Sequence, residues 1–221
     1  PGTDRATMRA LRRHHVETED DFPRDVSELQ RLLGPVQPGQ AIVATPGAGT
    51  EVPIWLLGSS LFSAQLAAEK GLPYAFASHF APRMLLQAVE LYRARFKPSK
   101  VLAQPHVVIG VPVIAAPTDD EAEFLATSTY QRVLSILRGE RGRMPPPVAD
   151  FLSTVSPSER AGIGDFLGAA VIGGPDTVRS GLTRLLELTQ ADEIMMVSDV
   201  FDPALRWRSM AITAEVCRIR V

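Results

Sequence analysis

Short apolar runs alternate with amphipathic stretches along most of the chain. The runs lie at residues 53–57 (PIWLL), 72–76, 107–115 and 193–197, and polar residues do not alternate with apolar ones inside them. Such runs are typical of strands that are buried on both faces of a parallel sheet, with helices packed outside. We therefore predict an α/β fold with four strands, which is either half of an eight-stranded barrel or a small open sheet.

Capping residues and helix breakers between the strands predict where the helices begin and end. Residues 36–50 are rich in proline and glycine and predict a loop or a hairpin, and residues 145–147 are three prolines that predict a linker. Three helices are predicted in the first part of the chain: one from Asp21 to Gly34, one that ends at the C-terminal signal Lys70-Gly71, and one from Pro82 to Phe96. Three more follow: one from a capping box at Thr118 to Leu137, one that begins at Pro175, and one from Pro203 to Ile219.

Composition narrows the class of protein. The chain is 45% hydrophobic and 22% charged with a formal net charge of -2, so no global field attracts it to nucleic acid. It contains no apolar run long enough to span a membrane and no signal segment, and we expect one cytoplasmic domain over residues 1–221. The single cysteine, Cys217, excludes an internal disulfide and a thiolate metal cluster, and we expect it to be a small buried side chain.

The carboxyl end of the first predicted strand carries a candidate anion site. Gly58 permits close approach of the backbone, and Ser59, Ser60 and Ser63 lie at the start of the next helix. Free amides and hydroxyls at a helix N-terminus bind anions, and phosphate is the expected one. The same pattern also fits serines that do nothing but cap the helix.

The carboxyl end of the second predicted strand carries Ala77, Ser78, His79 and Phe80. Carboxyl ends of parallel strands meet at one edge of a sheet, so these residues are expected beside the serines. The His79 imidazole is suited to stack on a planar ligand or to form a hydrogen bond with it. It is equally suited to cap the following helix.

Several segments resemble one known family. The strings PIWLLGSS, SAQLAAEKGLPYAFASHFAP, HVVIGVPVIAAPTDDEAEFLA, GGPDTVRSGLTRLL and ADEIMMVSDV are similar to those of the luciferase-like monooxygenases, and the likeness covers essentially the whole chain. The block from Trp55 to Phe80 is its most specific part. Members of the family normally carry the first barrel strands ahead of the Pro1-Gly2-Thr3-Asp4 motif. The resemblance therefore implies the C-terminal part, roughly the second half, of a (β/α)8 TIM barrel.

The resemblance also implies a cofactor site. Family members bind FMN or, in a sister branch, the deazaflavin F420. The phosphate position maps onto Ser59, Ser60 and Ser63, with Gly58 beside them, and the ring position maps loosely onto Ala77, Ser78 and His79. Metal ligands are not expected.

The implied function is flavin-dependent monooxygenation of a small organic substrate with O2, with reduced flavin supplied by a reductase and the enzyme forming a homo-oligomer. F420-dependent hydride transfer and a non-catalytic flavin-binding fragment are the alternatives. No acid–base pair carries a catalytic assignment. His79 and Asp4 are the weak candidates, while Asp199 and Asp202 are expected to be solvated or to cap a helix.

Overall fold

The structure is a computed structural model that describes residues 21–140 and 142–218. These residues fall into two compact units that divide between Ile54 and Trp55. In the first unit, helix α1 (Phe22–Leu33) has a proline in its first turn and ends at Gly34, as predicted. Residues 34–54 form turns and extended backbone, which confirms the loop and not the hairpin. The expectation of a single domain over residues 1–221 stays a prediction.

The second unit is built on a five-stranded sheet in which every described pair of strands is parallel. The long third strand is its centre, because it pairs with the second, fourth and fifth strands, whereas the first strand pairs with the second. The strands are β1 (Leu56–Gly58), β2 (Tyr74–Phe76), β3 (Val107–Ala115), β4 (Val171–Gly173) and β5 (Glu193–Val197).

Helices connect these strands, as parallel pairing requires. They are α2 (Leu61–Lys70), α3 (Leu85–Arg95), α4 (Asp119–Leu137), α5 (Pro157–Phe166), α6 (Pro175–Thr189) and α7 (Pro203–Val216). Two short 3-10 turns, Pro82–Met84 and Phe151–Ser153, precede α3 and α5. None of the described helices is long and apolar enough to cross a membrane.

The α/β fold class with parallel strands is confirmed, and two details differ from the prediction. β1 covers Leu56–Gly58 rather than residues 53–57, and pairing begins where the Leu56 amide donates to the Pro73 carbonyl. β4 and α5 were not predicted from the sequence. β4 has three residues and ends at Gly173. In the sequence, the Gly173-Gly174 pair indicates only the start of the next helix.

The two faces of the sheet differ in what covers them. Tyr74 packs against Tyr92 of α3, so alternation and register place Tyr74, Phe76 and Ile109 on the face that the helices cover. Leu57 and Met195 belong to the opposite face, where their side chains are 68% and 63% exposed. The expectation of strands buried on both faces is therefore wrong for β1 and β5.

Cys217 also departs from expectation. It is exposed at the residue that ends α7, and not a small buried side chain. The buried residues of that helix are Ser209, Thr213 and Val216, which share one face. Cys217 follows Val216 directly, so it is turned about 100° away from that face.

Candidate functional site

The carboxyl ends of β1 and β2 lie side by side. Gly58 pairs with Phe76 in register, and the Ala77 amide donates to the Gly58 carbonyl at 2.9 Å. The pairing brings the serines after β1 next to the Ala77-Ser78-His79 segment after β2. The two sequence segments predicted to form one site are thus neighbours at one edge of the sheet.

The start of α2 offers unused hydrogen-bond donors. Ser60 precedes the helix with an extended backbone, and its side chain makes no capping hydrogen bond. Within the described part of the chain, no hydrogen bond engages the hydroxyl of either Ser59 or Ser60, and Ser60 is exposed. The first amides of a helix have no acceptor within the helix, and they lie at its positive end. Hydroxyls and amides together form a donor cluster suited to an anion.

Side chains satisfy the first amides of two other helices at this edge of the sheet, α4 and α7. Thr118 accepts from the Glu121 amide at the start of α4. Asp119 accepts from the Gly174 amide at 2.6 Å where α6 begins, and this bond and the Thr177 hydroxyl lower the pKa of that carboxyl. Asp202 caps α7 through the amides of Ala204 and Leu205, which confirms the capping role expected for it. The uncapped start of α2 therefore contrasts with the capped starts of α4 and α7, and it shares the lack of a side-chain cap with the starts of α3 and α6.

Ser63 is placed differently from Ser59 and Ser60. Its hydroxyl is buried, donates to the Ser60 carbonyl at 2.9 Å and lies 3.3 Å from the Tyr74 hydroxyl. Burial raises the pKa of Tyr74 to about 12, against the opposing effect of the hydrogen bond with Ser63. A Cβ on Gly58 would come within 2.1 Å of the Ser63 Oγ. Ser63 therefore shapes the loop from inside, and Gly58 makes room for it.

The segment after β2 also divides into structural and accessible groups. Ser78 is fully buried and donates to the Gly110 carbonyl of β3 at 2.6 Å, and Ala77 is buried as well. His79 lies over Gly110, since a Cβ on that glycine would come within 2.5 Å of the His79 Nδ1. Its ring centroid is 4.1 Å from that of Phe80, which is largely exposed. The accessible surface here is an imidazole beside an aromatic ring.

The remaining candidates lie elsewhere. Asp199 forms an ion pair with Arg132 at 2.8 Å, and Asp4 lies outside the described residues. Sequence reasoning missed Tyr74 and Gly110, because their roles arise from contacts with separate segments of the chain that no local pattern reveals. Among the described residues, no group of three or more His, Cys, Asp or Glu side chains is arranged to hold a metal ion.

Comparison with known proteins identifies the family. The profile of the luciferase-like monooxygenases matches residues 5–192. A luciferase-like monooxygenase of Escherichia coli (strain K12) is 46% identical over 216 residues, which are 98% of this chain and 64% of that protein. The uncharacterized protein YvbT of Bacillus subtilis (strain 168) is 47% identical over 221 residues, covering 100% of this chain and 66% of its own length. The chain belongs to the luciferase-like monooxygenase family, and it spans about two thirds of the length of these relatives.

Solved structures agree with this fold. The crystal structure of apo-MsnO8 superposes with a TM-score of 0.78 at 29% identity, covering 96% of this chain and 64% of the other. A type II Baeyer-Villiger monooxygenase from Pseudomonas putida, solved with FMN, has a TM-score of 0.59 at 15% identity and covers 93% of this chain and 65% of its own. An F420-dependent secondary alcohol dehydrogenase also has a TM-score of 0.59, at 13% identity, and the match covers 90% of this chain and 62% of the dehydrogenase. The last two likenesses concern the fold alone.

Proposed function

We propose that this chain binds FMN through its phosphate at the start of α2 and serves a flavin-dependent monooxygenase that acts on a small organic substrate with O2. The family membership supports an oxidoreductase of the monooxygenase type. The uncapped helix start with the free Ser59 and Ser60 hydroxyls is the observation that carries the assignment of the phosphate. His79 and Phe80 are the groups proposed to face the flavin ring.

The residues present fit a phosphate-bearing flavin. A phosphate dianion needs several hydrogen-bond donors and gains from the positive end of a helix dipole, and the α2 start supplies both. The ring needs an aromatic or apolar surface with a polar group at its edge. Phe80 provides the aromatic surface, and the imidazole of His79, whose Nδ1 atom is buried and unpartnered, provides the polar group. The Ser63 and Ser78 hydroxyls already donate to carbonyl groups beneath this surface, and their expected contact with the cofactor stays a prediction.

The protein's contribution is binding and orientation. Reduced flavin, when bound, supplies the electrons that activate O2. The amides that open α2 fix one end of the cofactor by its phosphate, with the Ser59 and Ser60 hydroxyls beside them. The His79–Phe80 pair provides an edge for the ring, and the bond from Ser78 to the Gly110 carbonyl keeps β2 and β3 together beneath it. The reductase that would deliver reduced flavin and the homo-oligomeric state belong to the proposal.

The phosphate assignment is tested with a Ser59→Ala/Ser60→Ala double variant. We expect FMN affinity to fall by about 1–3 kcal/mol, because charge-assisted hydrogen bonds to the phosphate are lost. Riboflavin lacks the phosphate, so its affinity is expected to stay the same. Both are measured by fluorescence titration of the purified protein, and Ser180→Ala, on the exposed face of α6, is the matched control.

Two outcomes would contradict the assignment: equal losses for FMN and riboflavin, or no change for FMN. F420 also carries a phosphate, so titration with F420 under the same conditions decides between the cofactors. O2 uptake with reduced FMN is expected for the monooxygenase, whereas an F420-dependent enzyme would instead show substrate-dependent absorbance changes of F420. Flavin binding without O2 uptake for any substrate would favour the non-catalytic alternative.

A further inference from the structure

His79 stands out because one ring nitrogen is buried and the other is not. The Nδ1 atom is inaccessible to solvent and has no hydrogen-bond partner. The Nε2 atom, in contrast, is not enclosed in this way. In the part of the chain described, His79 forms no hydrogen bond or ion pair, and its ring contact is with Phe80. The imidazole therefore has an enclosed side and an open side.

Gly110 creates the enclosed side. A Cβ at this position would lie 2.5 Å from the His79 Nδ1 and 3.0 Å from the Cε1, so any larger residue would push the ring away. Because Gly110 has no side chain, the ring edge can lie over the backbone of β3, and the Nδ1 atom is inaccessible to solvent. The bond from Ser78 to the Gly110 carbonyl fixes the neighbouring residue of the same segment to this strand.

The enclosed environment decides where the imidazole proton lies. A neutral imidazole carries one N–H, on Nδ1 or on Nε2. A proton on Nδ1 would be a buried donor without an acceptor, and such orphaned N–H groups are rarer in proteins than acceptors with an unused lone pair. A proton on Nε2 is directed to the open side, where a ligand or solvent accepts it.

We propose that Gly110 fixes which tautomer the neutral form of His79 adopts, with the proton on Nε2, so that His79 presents a hydrogen-bond donor to the ligand at this edge of the sheet. The acceptor is an oxygen or nitrogen atom of the flavin ring, and this part rests on the proposed function. Gly110 is a positioning residue that acts through His79. The tautomer itself does not depend on any ligand.

The tautomer is measured by NMR with 15N-labelled histidine, near pH 8, without cofactor. The chain has 4 histidines, and loss of one pair of signals in His79→Gln assigns those of His79. We expect a protonated Nε2 and an unprotonated Nδ1. A protonated Nδ1 would overturn the proposal, whether or not flavin binds.

Gly110→Ala tests the positioning role. We expect the His79 signals to shift, while Gly164→Ala, where a Cβ has no neighbour within 4 Å, leaves them unchanged. Unchanged His79 signals in folded Gly110→Ala would overturn the role of Gly110. If Gly110→Ala does not fold, the double variant His79→Ala/Gly110→Ala is expected to fold, because the ring that collides with the new methyl group is gone. If His79→Ala folds but this double variant does not, the role of Gly110 is overturned.

Flavin titration then tests the donor. His79→Ala is expected to weaken flavin binding roughly three- to tenfold, the range of one neutral hydrogen bond. His79→Gln keeps an amide donor in place of Nε2 and is expected to restore most of the affinity. Equal losses in both variants would overturn the donor role, even where the Ser59→Ala/Ser60→Ala result supports the phosphate site.

Discussion

At the scale of single residues, the contact between Gly58 and Ser63 is the tightest constraint on the candidate phosphate site. A methyl group on Gly58 would meet the Ser63 Oγ at 2.1 Å and its Cβ at 2.5 Å. We expect Gly58→Ala to lower the free energy of unfolding by about 1–3 kcal/mol, because the crowded loop must shift. Urea-induced unfolding followed by circular dichroism measures the change.

The partner of this contact can be tested directly. Ser63→Gly removes both atoms that the new methyl group would meet, so Gly58→Ala is expected to destabilise less in that background. Gly164→Ala is the control for glycine replacement, because open space surrounds that position. An equal loss in both backgrounds would show that the contact is not the cause.

These residues show how far sequence reasoning reaches. Ser59 and Ser60 were predicted as donors from their place after a strand, and the structure leaves both hydroxyls available in the described part of the chain. Ser63 and Ser78 have the same residue type and similar spacing, yet their hydroxyls bond to the Ser60 and Gly110 carbonyls. The Ser63 bond lies within one segment, whereas the contact of Ser63 with Tyr74 and the bond of Ser78 to Gly110 involve other strands. A pattern along one segment does not contain those contacts.

At the scale of elements, α5 depends on a network at its N-terminus. Ser156 and Glu159 form a capping box, and Arg138, just after α4, donates to the Glu159 carboxylate at 3.1 Å through Nε. The Arg138 bond, followed by the Ser156 bonds, lowers the pKa of Glu159 to about 2. The folded state thus favours the charged carboxylate, and the stability that it adds is present above the ordinary glutamate pKa and is lost as the pH falls towards 2.

Glu159→Gln is therefore expected to speed hydrogen exchange of the first amides of α5 at neutral pH and to remove the acid dependence of that exchange protection. The effect should stay local, because the ion pair lies at the surface and is screened by water. Mass-spectrometric hydrogen exchange measures it, with Glu187→Gln in α6, also exposed, as the control. Equal acid dependence in the variant and the parent would contradict the role of the network.

Elements were predictable where the chain carries its own boundary signals. The Thr118 cap predicts the start of α4, and the nine-residue apolar run predicts β3. α5 carries equally good boundary signals in Ser156, Pro157 and Glu159, so its start is also encoded locally, just after a proline-rich stretch. β4 has no such signal, since three residues acquire strand geometry only by pairing with Val113, Ile114 and Ala115 of β3.

At the scale of the whole molecule, the sheet leaves surfaces that favour association. In the described residues, β1 pairs only with β2 and β5 only with β3, so each has an edge without a strand partner. The face opposite the helices exposes Leu57 and Met195. Unpaired strand edges beside exposed apolar side chains promote pairing between chains. The homo-oligomeric state stays a prediction, and these surfaces allow it to be tested in the 221-residue chain.

We expect the 221-residue chain to self-associate as its concentration rises, and we expect Leu57→Lys to shift the equilibrium towards the monomer. The lysine places a charge on the apolar face next to the β1 edge, where burial in an interface would require its desolvation. Sedimentation velocity over a concentration series measures the change. Trp207→Lys is the matched control, since Trp207 is 72% exposed on α7, away from the sheet face. Association that persists in Leu57→Lys but disappears in Trp207→Lys would place the interface on the helices and leave the open face of the sheet without a role in assembly.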